Sequence, residues 1–256
     1  MLTPSITSFV TDVFRLTIWL LLLMAIFMPL ERMFPLHPQR NMRSRLGSGI
    51  IYYFVNNLLP KLLLTMPLLL LTGIAHRMAP LAFYQQTESW PWYVRLGLAM
   101  VIGEIGAYWG HRWSHHVPFL WQFHVVHHEP EEVNWLVHTR AHPVDMVFTR
   151  FCGLAPIYLL GLAQPQGQSV DLVPVLLSII GSIWGFFIHA NVGWRLGPLE
   201  WVIASPAFHH WHHTNDGENF VNKNFSPLLP WIDSLFGTLY LPNSWPKKYG
   251  VDRPSS

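Results

Sequence analysis

Apolar positions gather into five long runs separated by polar loops. The first covers residues 14–33, from Phe14 through Trp19-Leu-Leu-Leu-Leu-Met24 to Met33. Roughly 20 such residues cross the hydrocarbon core of a bilayer as a helix. No cationic stretch precedes this run and no small-residue cleavage site follows it, so it reads as a retained span rather than a signal peptide. The second run, 49–75, is interrupted by Pro60-Lys61 and Pro67, which predicts a kinked span or a re-entrant pair, with Lys61 snorkelling or facing protein. Runs at 92–109, 146–162 and 170–190 follow, the last two joined as a helical hairpin by Gln164-Pro-Gln-Gly-Gln168. The pattern predicts an all-α integral membrane protein with about four to five transmembrane helices.

Between and beyond these runs lie thirteen of the fifteen histidines, from His111 to His213. They form three clusters: His111-Arg-Trp-Ser-His115-His116, His124-Val-Val-His127-His128 and His209-His210-Trp-His212-His213. Imidazole is costly to bury unpaired and is a common ligand of transition metals. His111 and His115 share a helix face at i, i+4, and HxxHH places three imidazoles on one turn. His111, His115, His124, His127, His128, His209, His212 and His213 exceed what one ion needs and suit two metals with open positions. His189, ending the fifth run, and His142, in Arg140-Ala-His142-Pro-Val-Asp145, are further metal candidates; His142 could instead pin the start of the fourth span. His116 and His210 point to other helix faces, and His138 reads as a neighbour rather than a ligand. Glu104, inside the third run about two turns before His111, is a candidate acceptor that orients a ligand imidazole, or else a helix-packing hydrogen bond.

Composition sharpens this picture. Only 12% of residues are charged, against roughly 25% in ordinary soluble domains. A net charge of +2 with no basic stripe argues against nucleic acid as a partner. The one cysteine, Cys152, excludes an internal disulfide and an all-cysteine iron–sulfur cluster. Arg32, Arg40, Arg43 and Arg45 crowd the first loop, whereas Arg15, Arg77 and Arg95 are spread thinly on the other side, so the first loop is expected in the cytoplasm. With five crossings, all three clusters then share the cytoplasmic face as a helical cap. The expected division is 1–90, N-terminal spans and basic loop; 91–242, catalytic unit; 243–256, polar C-terminal tail. The aromatic run Trp109, Trp113, Phe119, Trp121 and Phe123 reads as an interface belt.

Taken in order, Tyr108-Trp-Gly-His111-Arg-Trp-Ser-His115, Leu120-Trp-Gln-Phe-His124-Val-Val-His127-His128, Arg140-Ala-His142-Pro-Val-Asp145, His189-Ala-Asn191, Ser205-Pro-Ala-Phe-His209-His-Trp-His212-His213, Lys223-Asn-Phe225 and Trp231-Ile-Asp233-Ser-Leu-Phe236-Gly-Thr238 resemble the fatty acid hydroxylase/sterol desaturase superfamily of membrane non-haem di-iron proteins. The resemblance covers about residues 95–242. It implies two iron ions, O2 as co-substrate, and hydroxylation or desaturation of a C–H bond in a lipid taken from the bilayer. It also implies metal roles for the eight cluster histidines, with His189 and His142 after them. One departure stands out: some relatives carry a second histidine soon after the one matching His189, where this chain reads Asn191-Val-Gly193-Trp194. His142 or His138 could supply the missing ligand.

No haem-binding His-Pro-Gly-Gly, cysteine cluster or GxGxxG is present, so electrons must come from a separate ferredoxin, cytochrome b5-like protein or reductase. Arg40, Arg43 and Arg45 form one candidate docking patch, or simply set topology. Two other classes compete. A membrane metal transporter or metal-binding protein would carry its ligands near the bilayer midplane, and a membrane zinc hydrolase would carry an HExxH-type base, which none of the clusters contains. A bacterial inner membrane is favoured over the endoplasmic reticulum.

Overall fold

A computed structural model describes residues 6–39, 42–163 and 171–252, with side chains from 46 in the second helix. The link at Gln164–Gln168 and the side chains of Arg40, Arg43 and Arg45 lie outside the described residues. The long helices are α1 (Ile6–Met33), α2 (Met42–Met78), α4 (Trp92–His116), α6 (Pro143–Leu159) and α7 (Leu172–His189). Shorter helices complete the chain: α3 (Leu81–Ser89), α5 (Pro118–His128), α8 (Pro206–His212) and α9 (Trp231–Leu235), with 3₁₀ turns at Trp135–Thr139 and Gly197–Trp201. Among the described residues there is no sheet, only two isolated bridges. Among the described residues, three helices are long and apolar enough to cross a membrane: Ile6–Met33, Leu46–Met78 and Leu172–His189.

The second run forms one continuous helix rather than a re-entrant pair. Pro60 and Pro67 each remove one backbone hydrogen bond, which an apolar helix packed on neighbours tolerates. Lys61 pairs with Asp12 of α1. Helix α4 continues past its apolar run to His116, carrying His111 and His115 on the same rod.

α4 and α6 pack closely through small residues, as helices do where lipid supplies no hydrophobic drive between them. A Cβ on Gly106 would lie 2.2 Å from the carbonyl oxygen of Cys152, and one on Gly110 would lie 2.7 Å from the Cys152 Cβ. Gly106→Val should therefore force the two helices apart and cost roughly 1–3 kcal/mol or more. A Cβ on Gly181 would meet nothing within 4 Å, so Gly181→Ala should be close to neutral. Thermal unfolding of the two variants side by side in one detergent checks both.

One end of the bundle collects the chemistry. The C-termini of α1, α4 and α7 and the N-terminus of α6 all arrive there. Glu31 near the end of α1 accepts the backbone N–H groups of Trp135 and Asn191, both at 2.8 Å. Asn56 of α2 donates to the carbonyls of Thr139 and Ala141. At the far end, Arg95 of α4 forms a bidentate pair with Asp171 at the start of α7, at 3.0 and 3.1 Å.

The segment read as a polar tail is instead docked as far as Asp252, beyond which the chain is not described. Trp211 Nε1 donates to Ser244 O at 2.9 Å, Tyr249 OH bonds His210 Nδ1 at 2.8 Å, and Thr214 bridges Tyr249. Its aromatic residues Trp245 and Tyr249 find partners on α8, which its polar average concealed.

Candidate metal centre

Nine histidines converge at this end in two groups. His111, His115, His124, His128 and His212 form one; His127, His189, His209 and His213 form the other. Within each group the candidate ligand nitrogens lie within 4.8 Å of one another. The HxxHH spacing divides neighbours between the groups: His127 joins one and His128 the other, and His213 and His212 divide likewise. Rings of opposite groups nearly touch, with His128 and His213 centroids 4.5 Å apart. Each His-His pair thus ties the two groups together through a single backbone step.

The protons on these rings are assigned by their partners. Backbone carbonyls only accept, so Nδ1 donates from His111 to Phe225 O at 2.7 Å, from His127 to Arg140 O at 3.0 Å, from His189 to Gly185 O at 2.6 Å and from His212 to Lys223 O at 2.8 Å. His115 donates to Asn222 Oδ1 at 3.1 Å and His124 to Asp145 Oδ2 at 2.9 Å. With Nδ1 protonated, each neutral ring turns a bare Nε2 lone pair into the site, the arrangement that fixes a ligand imidazole.

These lone pairs require a cation. Nε2 atoms approach at 3.3 Å between His127 and His189, where both protons are already committed to carbonyls. Other approaches are 3.2 Å between His124 and His128 and 2.9 Å between His189 and His209. Around an ion with bonds of about 2.1 Å, ligand nitrogens separated by right to tetrahedral angles stand about 3.0–3.4 Å apart. The Nε2 atoms of His111, His115, His212 and His213 are buried with no hydrogen-bond partner, as is Nδ1 of His209. A bound metal ion in each group would satisfy the Nε2 atoms, so the residues fit the expected ions; His209 turns its Nε2 to His189 and keeps Nδ1 outside that convergence.

Electrostatics point the same way. Burial, and then the neighbouring His124 charge, pushes His127 down to about 4. Burial likewise holds His128, His209, His212 and His213 well below the ordinary value, with other histidine charges adding to it. Neutral imidazole is the ligand form. The unfolded chain, with ordinary pKa values near 6.5, binds protons that the folded state refuses. Stability of metal-stripped protein should therefore hold above about pH 6.5 and fall steadily as pH drops towards 4. Thermal unfolding across that range checks it, and bound metal should move the fall to lower pH because it competes with the protons.

One short segment orients three imidazoles. Asn222, Lys223 and Phe225 supply the acceptors for His115, His212 and His111. Asn222 and Asn224 both adopt φ of 59°, a left-handed conformation that asparagine tolerates better than most side chains. Asn224 holds the turn through Phe208 O, Tyr240 O and Tyr240 N. Asp233 accepts the N–H groups of Phe225 and Ser226 and so fixes the segment from beneath.

Several expectations change. His142 enters neither group; it caps α6, its Nδ1 accepting from Val144 N at 3.2 Å, with its ring against Phe123. Its position immediately before the helix makes it a cap and leaves its ring outside the convergence. Glu104 orients no imidazole: Oε2 accepts the N–H groups of Leu228 and Leu229, at 2.9 and 3.3 Å, and clamps that loop onto α4. Asp145 is the carboxylate that orients a ring, and Ser114 donates to its other oxygen at 3.1 Å. His138 joins neither group, although its ring lies 5.4 Å from that of His189. Asn191, in place of the second histidine of some relatives, bonds both backbone polar groups of His37. His116 and His210 stay outside both groups, bonded to Arg112 O and to Tyr249 OH and Ala190 O. In the aromatic run, Trp113 and Phe119 are exposed, but Trp121 packs against His115 and His128 and forms part of the site wall.

The fold and site define a helical, membrane-type protein built around two adjoining histidine groups that could each hold a metal ion. A family model for fatty acid hydroxylase matches residues 96–238. The chain belongs to the fatty acid hydroxylase family. It is 34% identical over 164 residues to an ornithine lipid hydroxylase of Rhizobium tropici, covering 60% of this chain and 44% of that one. It is 32% identical over 169 residues to the human alkylglycerol monooxygenase, covering 65% of this chain and 34% of that one. A Delta(7)-sterol 5(6)-desaturase of Gibberella zeae is 27% identical over 156 residues, covering 59% and 43%. The chain thus spans less than half the length of these three relatives. No solved structure matches it.

Proposed function

We propose that this protein is a membrane di-iron oxidoreductase that uses O2 and externally supplied electrons to oxidise a C–H bond of a lipid. The observation that carries the reading is the paired convergence of Nε2 lone pairs, five histidines against four, with the Nδ1 protons of six fixed on acceptors. When bound, a reduced iron pair supplies the activation of O2 that no side chain can. The proposed ligands are His111, His115, His124, His128 and His212 for one ion, and His127, His189, His209 and His213 for the other.

The remaining work falls to the chain. Asp145, Asn222 and the carbonyls of Phe225, Lys223, Arg140 and Gly185 hold the imidazoles in one tautomer and orientation. Phe225 packs on His111, His115 and His212 and, with Trp121, walls the first group from water. The apolar helices deliver the lipid sideways from the bilayer. We read the catalytic unit as 91–242, with the 1–90 helices contributing Glu31 to its frame, and place the centre on the cytoplasmic face of a bacterial inner membrane. A ferredoxin, cytochrome b5-like protein or reductase supplies electrons there. Hydroxylation is favoured over desaturation because the ornithine lipid and alkylglycerol relatives are named as a hydroxylase and a monooxygenase.

The test is turnover of iron-loaded protein in nanodiscs of a total bacterial lipid extract, with a ferredoxin–reductase pair and isotopically heavy O2. A lipid gaining one heavy oxygen atom is expected. Oxygen-independent lipid hydrolysis, or no lipid change with the centre demonstrably reduced by the donor, would contradict the reading.

A further inference from the structure

Arg150 stands on α6 two helical turns from its site end, and nothing among the described residues neutralises it. Three carboxylates of the bundle are committed elsewhere. Asp145 is saturated by Ser114 and His124, Glu104 by Leu228 and Leu229, and Glu31 by Trp135 and Asn191. Three arginines nearer the histidines have partners: Arg140 pairs with Glu129, Arg195 with Glu200, and Arg112 bonds Tyr108. Arg150 has neither ion pair nor hydrogen bond, yet it is only partly accessible. An unpaired charge in the apolar part of a membrane protein costs stability and marks a functional position by default.

Its direction follows from the helix. Thr149, Cys152 and Gly153 of α6 face α4, touching Gly110, Gly106 and Gly103. Val147, Phe151 and Leu154 pack towards Leu64 and Leu68 of α2. At 100° per residue, Arg150 falls between these faces and points into the bundle between α4 and α2. Side chains lean towards the N-terminus of their helix, which for α6 is the metal end. At that end His138 lies so closely on Gly185 of α7 that a Cβ there would lie 2.2 Å from its ring. The His138 ring in turn lies 5.4 Å, centroid to centroid, from that of His189. The guanidinium is therefore aimed along the bundle interior towards the wall that His138 forms beside His189.

We propose that Arg150 is the substrate-recognition cation of this centre, pairing with the oxyanion of a lipid, carboxylate or phosphate, held beneath the histidine groups. The proposal rests on the reading of the site as lipid-oxidising and narrows its substrate to lipids with an anionic group close to the oxidised carbon. Guanidinium suits this role because its planar fork pairs with carboxylate or phosphate through two parallel hydrogen bonds.

The test is equilibrium binding of radiolabelled palmitate, dipalmitoyl phosphatidate and hexadecanol to wild-type, Arg150→Lys and Arg150→Met protein in phosphatidylcholine nanodiscs. Metal content and melting temperature are measured on the same samples. Wild type should bind one of the anionic probes about tenfold to a hundredfold more tightly than hexadecanol, as a charged hydrogen-bonded pair allows. Whether palmitate or phosphatidate shows the preference tells carboxylate from phosphate. Arg150→Met should lose the preference while keeping its metal and melting at the same or a higher temperature, because an uncompensated charge has been removed. Arg150→Lys should keep part of it. No anionic preference in wild type, an unchanged preference in Arg150→Met, or a fall in its melting temperature with loss of all three probes would overturn the proposal and leave Arg150 a structural residue. A wild-type protein that binds no iron but keeps the preference would instead contradict the di-iron reading alone.

Discussion

Protein carrying His127→Ala together with His212→Ala is expected to lose metal from both histidine groups, because each substitution removes one ligand from a different group. His212→Ala alone should strip the five-histidine group first and leave the other largely occupied. His213→Ala should do the reverse. Both residues lie in or at the end of the same short helix, α8, and both are buried, so the contrast is not one of exposure. Losing a ligand also leaves the remaining buried lone pairs facing one another without a cation, and lipid oxidation should fall below detection in the double variant. Metal content per chain, measured by elemental analysis of the three variants, checks the assignment. Loss of both metals from either single variant would mean the two groups act as one site.

The second large effect is expected at Asp145. Its carboxylate receives His124 Nδ1 and Ser114 Oγ, and so sets the ring of a proposed ligand. Asp145→Asn keeps the shape but removes the charge that stabilises the imidazole proton, and should lower metal affinity or activity by about 10–100-fold. Glu104→Gln is the matched control. A carboxamide oxygen can still accept the Leu228 and Leu229 N–H groups, so metal affinity should change by less than about threefold. Competition with a chelator, followed by metal release, separates the two. Had Glu104 been the imidazole acceptor that its position two turns before His111 suggested, the order would be reversed.

Much of this architecture is legible in local spacing. The i, i+4 relation of His111 and His115 and the HxxHH repeats place rings on single turns, and the structure brings those turns together at one bundle end. The apolar runs likewise correspond to α1, α2, α4, α6 and α7, with boundaries shifted by a few residues. What spacing does not encode is which distant polar group each ring chooses. Asn222, Lys223 and Phe225 orient rings that precede them by up to 114 positions, on a backbone turn that only its dihedral angles reveal. Asp145 lay within the Arg140–Asp145 motif, but the adjacent His142 drew the metal expectation. A histidine immediately before a Pro-initiated helix is well placed to cap it, and that signal was available. Glu31 gave no local sign of its role, since its two partners are more than 100 residues away. The docked C-terminal segment was hidden by polar composition, although Trp245 and Tyr249 are residues that usually seek a partner.

The central claim is that this chain holds two irons, one in each histidine group. The most direct test is the iron content per chain of wild-type protein purified gently with iron supplied, read by elemental analysis together with Mössbauer spectroscopy on an isotopically enriched sample. About two irons per chain, in two histidine-rich environments coupled to each other, is the predicted result. A single zinc per chain, or no retained metal, would contradict it and favour a hydrolase or a metal-handling protein instead.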